Sequence, residues 1–197
     1  MCPGGHVEPG IVIAPSAPIT GLLDVGRYPE GSDDLADRVA EAFRSATYES
    51  IVRQDVMRWK YRKLLVNLGN AVEALCGRAV IDGKLAGLAR SEGEACLQAA
   101  GIPYVSAEED ESRRAHKLAA RSVRGAARIG SSTVQDLARG TRAVETDYFN
   151  GEIALLGRLH GVPTPANVLL QELMSALVRR EREPGSFAES ELLARLT

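Results

Sequence analysis

The sequence predicts a mainly α fold, a multi-helix domain preceded by a short β-hairpin, and three observations predict it. From Ser32 onward, apolar residues recur at spacings of three and four, the period of a helix face. Residues 6–28, HVEPGIVIAPSAPITGLLDVGRY, lack that period and join β-branched runs to Pro and Gly. The chain has 197 residues, 45% apolar and 25% charged, which is enough apolar material for a packed core and too much for a disordered chain.

Within 6–28 two strands are expected, around Val12 and around Leu23, with Pro15 and Pro18 between them where a missing amide does least harm. A lone antiparallel pair is marginal, so the segment reads as the edge of a sheet whose remainder is absent. Ser32 is the expected N-cap of a first helix carrying Leu35, Ala36, Val39, Ala40 and Phe43 on one face. An extended stretch, 48–52, then leads to a long helix over 55–75 that ends before Gly77. DVMRWKYRKLLVNLGNAVEAL is apolar nearly all round, so neighbouring helices are expected to bury most of it. Further helices are predicted over 84–100, 109–124, 145–160 and 166–182, with a short one over 188–196. In HGVPTPAN, 160–167, Thr164 reads as an N-cap and Pro165 as the first helical residue. The domains expected are 1–30, a β-hairpin remnant, and 31–197, the helical domain.

Charge narrows the function classes. Twenty-four basic against 26 acidic side chains leave a net charge of −2, so nucleic acid is not an expected partner. Cys2, Cys76 and Cys96 show no C-x-x-C spacing, which argues against a disulfide framework or a zinc knuckle and for a reducing, cytoplasmic setting. His6, His116 and His160 are scattered, so no metal site is expected. No basic start and apolar run mark an export signal, and charges interrupt every apolar stretch, so no membrane partner is expected.

Polar groups in an otherwise apolar helix cost stability unless paired or used, which singles out Lys63, Asn67 and Asn70. Their spacings of four and three set them on one helix face. An ammonium there would protonate a developing alkoxide, and amides would orient a hydroxyl or carboxylate. The bland reading is a lysine reaching the surface and two asparagines bonding neighbouring helices. A second constellation, SSTVQDLARG at 131–140 followed by ETDYFNGEI at 145–153, holds Ser132 and Glu145. Glu145 and Asp147 open a helix, where acids are favoured by its dipole, or Glu145 faces Lys63 across a cleft. Arg113, Arg114, Lys117, Arg121, Arg124 and Arg128 read as a solvated basic face or an anion site, and Trp59 as a core anchor.

WKYRKLLVN, 59–67, resembles the helix of the ketopantoate reductase family that bears a catalytic lysine, with a substrate-binding asparagine four residues later. SSTVQDLARG, ETDYFNGEI and HGVPTPAN are similar to that family's serine, glutamate and Asn-Gly blocks, in the same order. The resemblance implies a helical domain like that of 6-phosphogluconate dehydrogenase-type reductases, preceded by the end of a Rossmann domain. It implies reduction of 2-dehydropantoate, a 2-oxo acid, with NADPH in pantothenate biosynthesis. Lys63 would be the general acid, Glu145 would hold the substrate hydroxyl, and Asn67, Ser132 and Asn70 would bind substrate. The partners implied are the 2-oxo acid, a second copy of the chain or a nucleotide-binding domain.

Two departures touch the site. The family's second asparagine lies eight residues after the lysine, whereas Asn70 lies seven after Lys63 and Ala71 takes the eighth place. One extra residue separates Asp136 from Glu145. A third concerns the cofactor: a dinucleotide fold needs a turn with closely spaced glycines after its first strand, and no two glycines here are separated by one residue. The expectation is therefore the substrate-side domain of a reductase, a truncated form that binds no NADPH alone and is inactive alone. The competing expectation is a non-catalytic binding or dimerisation module, or one chain of a split reductase.

Overall fold

The computed structural model describes residues 14, 16–114, 117–120, 130–140, 145–179 and 183–196. Among them the elements run β1 (Ser16–Pro18), β2 (Gly21–Leu22), α1 (Asp34–Ser45), β3 (Tyr48–Glu49), α2 (Val56–Asn67), α3 (Gly69–Cys76), α4 (Lys84–Ala99), α5 (Ala107–Arg114), β4 (Leu118–Ala120), α6 (Ser132–Ala138), α7 (Thr146–His160), α8 (Pro165–Val178) and α9 (Glu189–Ala194). The mainly α architecture with a short strand region ahead of it is as the sequence predicts. Two compact units are present. The first holds β1–β3, α1, α2 to Arg62, α5 and β4; the second holds Lys63–Pro103 and the described residues from Gly130 onward. No described helix is long and apolar enough to cross a membrane.

In the first unit the expected strand near Leu23 is β2, and the one expected near Val12 lies outside the described residues. β1 and β2 do not form a hairpin with each other. β1 pairs antiparallel with β4, and β2 pairs parallel with β3, with Gly21 opposite Tyr48 and Leu22 opposite Glu49. The reason is in the hydrogen bonds: the amides of Thr20, Leu23 and Val25 donate to the carbonyls of Thr47, Glu49 and Ile51. α1 is the crossover that makes this parallel pairing possible. It begins one residue later than expected, capped by Asp33, whose Oδ1 accepts from the Ala36 amide at 2.9 Å, while Ser32 Oγ bonds the Gln54 amide nitrogen. The helix predicted over 109–124 stops at Arg114, and Leu118–Ala120 is strand instead, held by β1.

Five charged side chains tie this unit together. Arg113 donates to Asp24 at 2.8 Å and pairs with Glu49; Arg53 donates to Asp24 at 2.8 Å, and Lys117 to Glu49 at 2.7 Å. With its side chain only 8% exposed, Arg113 is an internal tie and not part of a solvated face. Arg121, Arg124 and Arg128 lie outside the described residues. Burial works to raise the Asp24 carboxyl, but hydrogen bonds from Arg113, Arg53 and the Ile51 amide outweigh it and hold the group below its ordinary value. Glu49 is likewise lowered, burial being outweighed by Lys117 and Arg113.

The second unit is a helix cluster with Leu65, Leu68, Val72, Leu75, Leu85, Leu97, Ile153, Leu170, Met174 and Leu192 in its core. The long helix expected over 55–75 is two helices, α2 and α3, interrupted at Leu68. Close packing fixes the break. A Cβ on Gly93 of α4 would fall 2.7 Å from Leu65 Cδ2 and 2.9 Å from Leu68 Cδ1, so α4 packs its bare backbone against the side chains on both sides of this interruption.

A buried polar chain runs beneath it. Asn150 donates to the Leu68 carbonyl at 3.4 Å and to Asn167 Oδ1 at 2.9 Å; the Asn167 amide nitrogen donates to the Ala89 carbonyl at 3.0 Å and to Glu92 at 2.7 Å. Glu92 also accepts from the backbone amides of Ala166 and Asn167, at 2.8 and 3.0 Å, and so closes the start of α8. Pro165 is the first helical residue, as expected. Thr164 makes no side-chain capping bond; Glu92 takes that role.

Two stability measurements follow. Because the folded values of Asp24 and Glu49 lie below the ordinary 3.8 and 4.5, their stabilisation is complete above those values and is lost as pH falls through the folded ones. Urea unfolding at neutral pH and at about pH 3 is expected to show this acid-side loss. In Arg113→Ala the loss becomes shallower, and stability at neutral pH drops by roughly 3 kcal/mol. Asn167→Ala, which leaves Asn150 and Glu92 short of partners in the second unit, is expected to cost about 2–4 kcal/mol in the same assay.

Candidate functional site

All five residues singled out by the sequence, Lys63, Asn67, Asn70, Ser132 and Glu145, fall in the second unit. Lys63 and Asn67 are one turn apart on α2; Asn70 follows on α3, past the break at Leu68. Lys63 is exposed, as the reading of a lysine reaching the surface has it, and Asn67 and Asn70 are half-buried. The helix face they occupy is on the solvent side, and Leu65, Leu68 and Val72 take the core positions between them. Ala71, at the eighth place after Lys63, is buried, so Asn70 is the more accessible of the two.

The face goes inward at its far end. Glu73, three residues and nearly one turn after Asn70, is buried, and its Oε2 accepts from the Ser131 amide at 2.8 Å at the start of α6. Gly130 fits against the same carboxylate; a Cβ there would lie 3.0 Å from Glu73 Oε1. Ser132 comes next, exposed, with its hydroxyl donating to Glu145 Oε2 at 3.4 Å. Thus the structure brings Ser132 and Glu145 together, and α3 packs against α6 beside them.

Glu145 flanks the first turn of α7, yet its carboxylate makes no capping bond. Its place beside the first turn is also where the helix dipole favours an acid. Asp147 does differ: its Oδ1 accepts from Gln171 on α8 at 2.8 Å. Ile153 and Leu156 are core residues, as expected, and Phe149 is half-buried. In the first unit Trp59 is half-buried beneath the Arg53 guanidinium, 3.8 Å from the ring centre, in a cation–π contact and not a core anchor.

Sequence reasoning missed Glu73, Glu92 and the partnership of Asn150 with Asn167. Glu73 and Glu92 lie on helices between small residues, and their partners are 58 and 74 residues away, so no local spacing signals them. The only legible hint was the Thr-Pro start of α8, a helix beginning that needs an acceptor.

Neither of the two described cysteines, Cys76 and Cys96, has an activated thiol. Burial, with Glu189 and Glu191 nearby, pushes the Cys76 thiol up to about 11, and burial with Glu92 raises Cys96. Among the described residues no cluster of His, Cys, Asp and Glu could hold a metal ion. The described strand-to-helix connection between parallel strands, from β2 to α1, does not fit a dinucleotide. Gly26 there is filled by the chain itself, since a Cβ would lie 2.2 Å from the Arg53 carbonyl oxygen and 2.8 Å from Val56 Cβ, and Gly31 is five residues on.

Comparison with known proteins agrees with the helical half of this picture. Residues 55–178 match the model of the ketopantoate reductase PanE/ApbA C-terminal domain. A 2-dehydropantoate 2-reductase of Pyrococcus horikoshii is 29% identical over 178 residues, covering 86% of this chain and 55% of that protein. Among solved structures, the 2-dehydropantoate 2-reductase from Methylococcus capsulatus aligns with a TM-score of 0.63 at 19% identity, over 85% of this chain and 57% of that one. The PanE/ApbA family ketopantoate reductase from Ralstonia eutropha JMP134 aligns at 0.58 with 27% identity, over 82% and 52%. The chain spans about half the length of the curated relatives it matches.

Ser132 and Glu145 are exposed, so a purely structural role would be a weak one. Ser132→Ala and Glu145→Gln are each expected to leave unfolding free energy within about 0.5 kcal/mol of the parent, measured by urea denaturation.

Proposed function

The chain belongs to the ketopantoate reductase family, matching its C-terminal domain over residues 55–178, and on that premise we propose that it forms the substrate side of an NADPH-dependent reduction of a 2-oxo acid, 2-dehydropantoate being the reference substrate. In such a reduction the ketone carbon gains a hydride and the ketone oxygen gains a proton. Lys63 is the general acid to that oxygen, since a lysine ammonium both donates a hydrogen bond to a developing alkoxide and supplies its proton. Glu145 accepts from the substrate hydroxyl and orients it. Ser132 and Asn67 donate to the substrate, and Asn70, at the start of α3, is the third polar group that follows along this stretch.

The observation that carries this reading is the approach of Ser132 to Glu145, at 3.4 Å, by two residues that are exposed and unneeded for helix capping. Polar side chains brought together on a surface, above a core tied by other groups, are suited to binding and not to stability. The β2–α1 connection does not fit a dinucleotide, and placement of the hydride donor is assigned to residues other than those of that turn. The chain by itself is therefore proposed to be inactive in hydride transfer, its contribution being substrate position and the proton.

Calorimetric titration of the intact chain with pantoate, and separately with NADPH, tests this. Pantoate is expected to bind, NADPH to give no heat, and Lys63→Ala to weaken pantoate by about tenfold or more, the worth of one charge-assisted hydrogen bond. Absence of pantoate binding in the parent chain, or binding that Lys63→Ala leaves unchanged, would sink the reading. Ketopantoate-dependent NADPH oxidation by the chain alone would overturn the proposed inactivity.

A further inference from the structure

Glu73 is a buried carboxyl group that the chemistry proposed above does not use. Its side chain is 3% exposed and sits on α3, where an uncompensated carboxylate would cost several kcal/mol, on the order of the penalty for any unpaired buried ion. One oxygen accepts from the Ser131 amide at 2.8 Å, and the other is 3.8 Å from the half-exposed guanidinium of Arg78. Ser131 is the residue that opens α6. Its own hydroxyl is buried with no hydrogen-bond partner among the described residues, so the amide is its tie to α3. Gly130 before it lets the chain come against Glu73, and a side chain there would need either Glu73 or Val134 to give way. The next residue along is Ser132, whose hydroxyl meets Glu145.

We infer that Glu73 is a positioning residue for the Ser132–Glu145 pair, acting through the Ser131 amide to set where α6 begins and so where the Ser132 hydroxyl lies. The inference rests on the proposed function only for what the pair binds; the mechanical claim stands on the geometry. α6 has only seven residues, and among its ties to α3 the Glu73–Ser131 hydrogen bond is the directional one at its start, next to Ser132. Ser131 has φ −58° and ψ 168°, values that proline adopts without backbone strain, but the ring Cδ takes the place of the amide hydrogen that meets Glu73, so Ser131→Pro removes the donor cleanly only beside Glu73→Ala, which clears that space.

The test uses the intact chain with 13C-labelled glutamate, reading the Glu145 carboxyl carbon shift and its titration by NMR, with pantoate affinity by calorimetry alongside. Glu73→Gln keeps an acceptor for the Ser131 amide and is expected to leave both readouts near those of the parent. Glu73→Ala removes the acceptor, and Ser131→Pro in that background removes the donor as well. Glu73→Ala is expected to move the Glu145 signal and to weaken pantoate by about tenfold, and the double variant to do no more than Glu73→Ala alone. If Glu73→Ala does not fold, Glu73→Leu, which fills the same space without an acceptor, carries the same comparison. A Glu145 signal unmoved by the loss of this hydrogen bond overturns the inference, as does a Glu73→Gln variant that behaves like Glu73→Ala. A Glu145 signal that moves in a chain with no pantoate affinity supports the positioning role and sinks the substrate reading instead.

Discussion

The second unit depends on a carboxylate placed where a helix begins. Glu92 accepts two backbone amides at the start of α8 and the side-chain amide of Asn167, so three donors that the fold buries are satisfied by one group from α4. The first amides of any helix lack partners within it, and burying them unpaired is costly. Two other helix starts meet the same need in the same way. Glu189 of α9 accepts from the Leu85 amide at the start of α4 at 2.8 Å, and Glu73 of α3 accepts from Ser131 at the start of α6. In each case the acid comes from a different helix, so capping and tertiary packing are one interaction.

This arrangement explains why the helices meet where they do. The Asn167 and Asn150 amides extend the Glu92 cap inward to the Leu68 carbonyl, at the interruption between α2 and α3. A carbonyl at a helix break needs a donor, and Asn150 provides one from α7. Leu68 itself keeps helical backbone angles, and Glu73 one turn and a half further on meets α6 through the Ser131 amide. Polar groups thus fix the geometry inside the core, while the leucines around them supply the burial. The first unit follows a different rule: its strands are only two or three residues long, and the ion pairs among Asp24, Arg53, Arg113, Glu49 and Lys117 hold them.

With structural needs met by Glu73, Glu92, Asn150 and Asn167, the exposed polar residues above them are released from structural duty. Ser132 and Glu145 are of this kind, and the division between buried ties and exposed chemistry separates what stabilises the unit from what binds. Lys63 belongs to the exposed set as well, with Asn67 and Asn70 half-buried beside it.

The sequence by itself determined the helical class, the places of α1, α4, α7, α8 and α9 to within a few residues, and the five candidate residues, because period, Gly and Pro are local properties that the chain carries wherever it folds. It also carried the blocks around Lys63 and around Ser132 and Glu145, which are short enough to read directly. Tertiary structure alone decided the rest. Leu118–Ala120 became a strand because β1 offered a partner, the helix over 55–75 broke at Leu68 because Gly93 and Asn150 meet it there, and β2 paired with β3 because α1 returned the chain alongside it. The choice between an inward and an outward Lys63, which the sequence left open, and the burial of Glu73 were equally beyond local reading. Each is set by partners tens of residues away, and a charged residue's solvent access depends on what packs over it and not on its neighbours in sequence.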